Sequence, residues 1–223
     1  GTLVPNLPLE TWEQSSDHIA AALEVECDLY RRLSSARFKD RMIGTIPDGD
    51  GQFDCLLEEA GVDTPLEKRR DAARIHRKLL KDVLIPKPEA CRTLEQLSDR
   101  GVKLALVTDC STAAPELLDE SPLGRYFQIR SISAFLGVRK PDALMYTHCL
   151  DSLGIPAAEC IYVGDGNSEE LIGARDCGLT TVWVDNGLQQ HWHERFAPDG
   201  DHTIRSLEEL LPLVDTLESR TAG

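Results

Sequence analysis

Thr108, Lys140, Asp165, Glu169 and Glu170 are the residue types that together manage a phosphoryl group. A hydroxyl and an ammonium bind phosphate oxygens. Carboxylates do not, but they hold the divalent cation that does. Each of the five follows a short apolar run. Thr108-Asp109-Cys110-Ser111 comes after VKLALV, Arg139-Lys140-Pro141-Asp142 after the run near Ile132, and Gly164-Asp165-Gly166-Asn167-Ser168-Glu169-Glu170 after CIYV. Singly, each has an ordinary role. A threonine after a strand caps a helix, a lysine lies on the surface, and acids favour a helix N-terminus. Their arrival in this order at three successive run ends describes a phosphoryl-transfer site that lacks only its nucleophile.

The elements that must carry these residues alternate. From Pro86 onward we expect helices at 89–100, 113–118, 142–153 and 168–177, and strands at 102–107, 127–132, 160–163 and 180–184. Ser206 with Glu209 forms a capping box ahead of Leu207, Leu210, Val214 and Leu217. Strands alternating with helices imply right-handed crossovers and a parallel sheet, the α/β doubly wound, Rossmann-like class. In such a sheet ligands bind at the carboxyl ends of the strands, where all five residues fall. Before Pro86 nothing reads as strand. Ile19, Leu23, Cys27 and Tyr30 fit one helical face, with Ser15 or Ser16 as cap. A short helix at 53–60 ends at Gly61. A longer one at 66–84 carries Ala72, Ile75, Leu79 and Val83 on one face.

Residues 86–184 resemble the core of the haloacid dehalogenase superfamily. Thr108 stands where its second motif places Ser or Thr, which hydrogen-bonds phosphoryl oxygens. Lys140 stands at the lysine of the third motif, and Tyr162-Val163-Gly164-Asp165-Gly166 matches the fourth, whose Asp binds magnesium. A second acid follows in that family four or five residues on, and Glu169 and Glu170 occupy both spacings where Asp is commoner. Gly1-Thr2-Leu3-Val4 resembles the tail of the first motif, Asp-x-Asp-Gly-Thr-Leu, without its nucleophile and acid/base aspartates. The resemblance therefore implies a strand and two aspartates upstream of Gly1. It also implies a core of residues 1–11 and 86–223, and a helical cap of residues 12–85 that closes over the site, with Pro5 and Pro8 at the hinge. The implied activity is that of a magnesium-dependent phosphomonoesterase working through an aspartyl-phosphate on a small phosphate ester. The 223-residue chain itself would be inactive. A metal-free 2-haloacid dehalogenase, or a binding module that has lost catalysis, are the alternatives. Three carboxylates facing an anionic substrate weigh against the dehalogenase, because they require a cation.

Composition narrows the field further. With 41% hydrophobic and 28% charged residues the chain is globular. Its net charge of −14 repels phosphate backbones and anionic lipid, so nucleic acid and membrane surfaces are not expected partners. Seven scattered cysteines without a Cys-x-x-Cys pair suit a reducing cytosol. No run of about 18 apolar residues occurs, and the opening residues have neither the basic start nor the apolar core of a secretion signal. Four other features carry weaker signals. Arg37, Lys39 and Arg41 could grip an anion or form a solvated face. Asp48-Gly49-Asp50 with Glu59 is similar to a calcium loop, but Phe53 stands where glycine is required. His191-Trp192-His193 could bind a metal or form a surface turn. Cys110 has no histidine in its segment to activate it.

Overall fold

A computed structural model describes residues 1–6, 8–187 and 199–221. Five helices form the first part: α1 (Leu9–Leu23), α2 (Cys27–Ala36), α3 (Phe38–Met42), α4 (Asp54–Ala60) and α5 (Leu66–Val83), with a 3-10 turn at Asp50–Phe53. They share a core of their own, centred on Ile19, Leu23, Tyr30, Leu33, Leu56, Leu57 and Ala72. The apolar face expected across Ile19 to Tyr30 is real but broken. Glu24 turns left-handed (φ 60°) and ends α1, and the Glu26 carboxylate caps α2 by accepting from the amides of Asp28 and Leu29. Ser15 and Ser16 lie inside α1 and cap nothing. That helix starts earlier, where Pro8 fixes its backbone (φ −56°) and its carbonyl accepts from Thr11 and Trp12.

The second part alternates: α6 (Pro88–Asp99), β1 (Ala105–Thr108), α7 (Ala114–Glu120), β2 (Ile129–Ile132), α8 (Ser133–Leu136), α9 (Leu144–Leu153), β3 (Ile161–Gly164), α10 (Glu170–Asp176), β4 (Thr180–Val184), β5 (His202–Ile204) and α11 (Leu210–Thr221). Among the described residues the three strand pairings are parallel, as an α/β Rossmann-like fold requires. β1 begins three residues later than its apolar run, and β4 coincides with its own. The capping box is present: Ser206 Oγ accepts from Glu208 N at 3.3 Å and Glu209 Oε1 from Ser206 N at 3.1 Å. α8 and β5 were not anticipated. Each has only three or four residues, too few to show a period.

The sheet is in two pieces, β1-β2 and β3-β4-β5. Among the described residues β1 and β3 each pair on one edge only. Leu3 packs against two core clusters, one holding Val182 and Ile204 and the other Leu94 and Phe127. The Leu3 carbonyl accepts from Lys87 N at 2.9 Å, and the Gly1 carbonyl accepts from Lys87 Nζ at 2.5 Å. This clamp leads the chain along the seam between the pieces. Among the described residues no helix is long and apolar enough to cross a membrane.

Candidate active site

Because the strands are parallel, β1, β2 and β3 deliver the segments after them to one edge. Lys140 and Glu170 meet there. Lys140 Nζ donates to Glu170 Oε2 at 2.6 Å, and the Tyr162 hydroxyl donates to the same oxygen at 2.8 Å. Glu170 Oε1 accepts from Gly166 N at 3.1 Å, and its backbone carbonyl accepts from the Tyr146 hydroxyl at 2.9 Å. Burial alone would pull the Lys140 ammonium down. Glu170, Asp109 and Asp165 outweigh it and hold the group above its usual value. The same burial and the Glu170 charge push the Tyr162 phenol well up, so it stays a donor. Tyr146 and Tyr162 meet edge to face at 5.4 Å beneath this pair.

Two backbone features make the arrangement possible. Gly164 ends β3 directly under the Glu170 carboxylate, and a Cβ there would lie 2.2 Å from Oε1. After it, Ser168 (φ 57°) and Glu169 (φ 52°) are consecutive left-handed non-glycine residues, a conformation costing on the order of 1–3 kcal/mol each. This tight turn separates the two acids. Glu170 is 3% exposed and faces Lys140, whereas Glu169 is exposed to solvent. Asp165 is 7% exposed; its Oδ2 accepts from Asn167 Nδ2 at 2.8 Å and lies 3.8 Å from the Gly1 nitrogen.

Thr108 closes β1, with the Cys110 thiol beside it. Burial pushes that thiol up to about 12, so Cys110 is no nucleophile near neutrality. Asp109, quoted above only as a neighbour of Thr108, proves to be a connector. It accepts from Lys140 N at 3.1 Å and pairs with Arg139 Nε at 3.6 Å, tying the loop after β1 to the loop after α8. Its signal in the sequence was only its position one residue beyond a strand-end hydroxyl.

The other motifs resolve differently. Arg37 bonds Glu59, the Cys55 carbonyl and the Leu33 carbonyl, and Arg41 bonds the Ser34 carbonyl, so both arginines hold the helices together. Glu59 is taken by Arg37, and Asp48 by the core, which disposes of the calcium loop. His191, Trp192 and His193 lie outside the described residues.

Magnesium fits Asp165 and Glu170 in donor chemistry, since such ions take one or two protein carboxylates plus water and phosphate oxygens. Glu170 already accepts three hydrogen bonds, leaving about one of its four lone-pair positions. Among the described residues no group of three or more His, Cys, Asp or Glu forms a complete cage.

Known phosphatases are among the relatives of this chain. The chain is 31% identical over 186 residues to a phosphoserine phosphatase of Thermus thermophilus, covering 82% of this chain and 70% of that protein. It is 30% identical over 167 residues to a glyceraldehyde 3-phosphate phosphatase of Methanopyrus kandleri, covering 74% and 72%. In fold it is similar to a HAD phosphatase from Thermococcus onnurineus, with TM-score 0.64 and 25% identity over 96% of this chain and 94% of that one. A 2-haloacid dehalogenase from Pseudomonas syringae shares the fold at TM-score 0.70 and 23% identity, covering 97% and 95%. The haloacid dehalogenase-like hydrolase family matches residues 1–178, from the Gly1 tail through α10. Strand-end chemistry and ancestry thus point the same way, and the chain belongs to the haloacid dehalogenase-like hydrolases.

Proposed function

We propose that this protein is a magnesium-dependent phosphomonoesterase acting on a small phosphorylated metabolite. The observation that carries this reading is the buried Lys140–Glu170 pair beside Asp165 at the strand edge that also presents Thr108. The phosphatases among its relatives support it.

The nucleophile in this reading is an aspartate upstream of Gly1, in a strand lying between β1 and β3. Two observations support that placement. The facing edges of β1 and β3 are unpaired among the described residues, and the Gly1 nitrogen approaches Asp165. The aspartate oxygen attacks phosphorus and the ester P–O bond breaks. A second upstream aspartate gives its proton to the leaving alkoxide. Water then attacks the phosphorus of the aspartyl-phosphate, returns a proton to that second aspartate, and releases inorganic phosphate. Thr108 donates to a phosphoryl oxygen. Lys140, kept charged by Glu170, takes part of the remaining negative charge, and its loop is steadied through Asp109. Asp165 and Glu170 would hold magnesium, which neutralises the phosphate oxygens when bound. The helical part, residues 12–85 in this reading, is the cap that closes over the site.

The helpers alone are worth on the order of 10²–10³ each, against accelerations of up to ~10²¹ for phosphate monoesters. The 223-residue chain should therefore release no phosphate from p-nitrophenyl phosphate with magnesium, while the natural chain with its upstream aspartates should. Robust magnesium-dependent turnover by the 223-residue chain would refute an upstream nucleophile.

A further inference from the structure

The loop at residues 43–49, between α3 and the 3-10 turn, carries no calcium motif. The structure gives it another task. Asp48 reaches from the helical part to the start of α7. Its Oδ2 accepts from Ala113 N at 2.7 Å and from Thr112 Oγ1 at 3.2 Å, and its own N–H donates to Thr112 Oγ1 at 2.8 Å. The exchange is reciprocal and partly buried. Its other oxygen is buried 3.6 Å from His76 Nδ1 of α5. α7 has no side-chain cap from its own segment, although the first amides of any helix need one.

We infer that Asp48 is the latch that holds the helical cap onto the core, and that it acts as an N-cap, supplied across the seam, for the helix that follows Thr108.

The loop is built to present this one side chain. Gly49 sits at φ 125°, ψ −163°, a backbone region open essentially to glycine alone, and nothing lies within 4 Å of a Cβ placed there. Glycine is thus required by conformation and not by space. Gln52 N bonds back to the Gly49 carbonyl and Ile46 N to the Asp40 carbonyl, which fixes the loop at both ends. Among the described residues, other ties across the seam include weaker kinds. Arg77 with Glu116 and Glu120, and Lys81 with Glu120, are exposed ion pairs, which contribute little. Ser133 Oγ donates to the Met42 carbonyl at 2.6 Å without a charge. The Asp48 bonds are charge-assisted, and such bonds are about twice as strong as neutral ones.

The consequence is a coupling. When the cap is seated, residues 109–113 are held between β1 and a capped α7. When it lifts, α7 loses its cap and the loop that follows Thr108 loosens. Asp48 is therefore a positioning residue, and the inference holds whether or not the proposed chemistry does.

Amide hydrogen exchange read by mass spectrometry tests it on the 223-residue chain. In Asp48→Ala, exchange at residues 111–115 should rise about tenfold, with α1 and α5 unchanged. Thr112→Val removes both bonds to its hydroxyl but keeps the Ala113 N–Asp48 Oδ2 bond, so it should give a smaller local rise. The double variant should fall short of the product of the two singles, because both remove the shared Oδ2–Oγ1 bond. Unchanged protection at 111–115 in either single variant would overturn the latch, and so would a double variant whose effect is the product of the two singles. If Asp48→Ala also loosens α1 and α5, Thr112→Val alone decides.

Discussion

Glu170→Ala should lower folding stability by about 3–5 kcal/mol at pH 7, because it strands the Lys140 ammonium without its partner. The pair is well buried, with side-chain exposures of 11% for Lys140 and 4% for Glu170, so solvent offers little screening. The substitution also orphans the Tyr162 hydroxyl and the Gly166 amide, both of which donate to that carboxylate. The pH dependence has a definite sign. Lys140 in the fold sits above its usual value. Its contribution is therefore complete below the unfolded lysine pKa of about 10.4 and disappears as pH climbs through the raised folded value. Denaturant unfolding of the 223-residue chain at pH 7 measures the loss without any activity. Combining Glu170→Ala with Lys140→Met should recover much of it, since an apolar pair replaces an unpaired charge. A single variant within 1 kcal/mol of the parent would mean that the pair does not organise this edge.

Asp165→Asn should lower phosphate-ester turnover by the natural chain by at least about 10² and raise the magnesium concentration needed for half-maximal rate. Charge stabilisation by a bound cation is worth several kcal/mol, and each 1.36 kcal/mol is tenfold in rate. Asparagine keeps the size and can still accept from Asn167, so the fold should persist while the charge is lost. Glu169→Gln is the matched control. Glu169 is exposed on a left-handed turn, so that variant should stay within about twofold of the parent. Equal losses from both would place the metal on the solvent side of the turn, against this account.

The order of Thr108, Lys140 and the acids at strand ends was legible because parallel topology converts sequence order into a shared edge. β4 was legible because TTVWV is a β-branched, aromatic run with a glycine before it. What escaped depended on contacts distant in sequence. The choice between Glu169 and Glu170 rests on two left-handed residues that no spacing rule foresees. Asp109 acts through a backbone amide 31 residues away, and Asp48 through residues 64 and 65 positions away. The single helical face from Ile19 to Tyr30 is apolar as expected, yet Glu24 breaks it, because the core of the helical part is wrapped by two helices meeting at that turn. The basic cluster at Arg37 and Arg41 looked free to bind an anion only because their carbonyl and Glu59 partners are invisible in local sequence.

The central claim is phosphate-ester hydrolysis assisted by a metal at Asp165 and Glu170. It is tested most directly by measuring phosphate release from a panel of small phosphomonoesters by the natural chain, with magnesium and with excess chelator. The account predicts release that the chelator abolishes and magnesium restores. Undiminished release in chelator would contradict it, as would chloride release from 2-chloropropionate, insensitive to chelator, with no phosphate released from any ester.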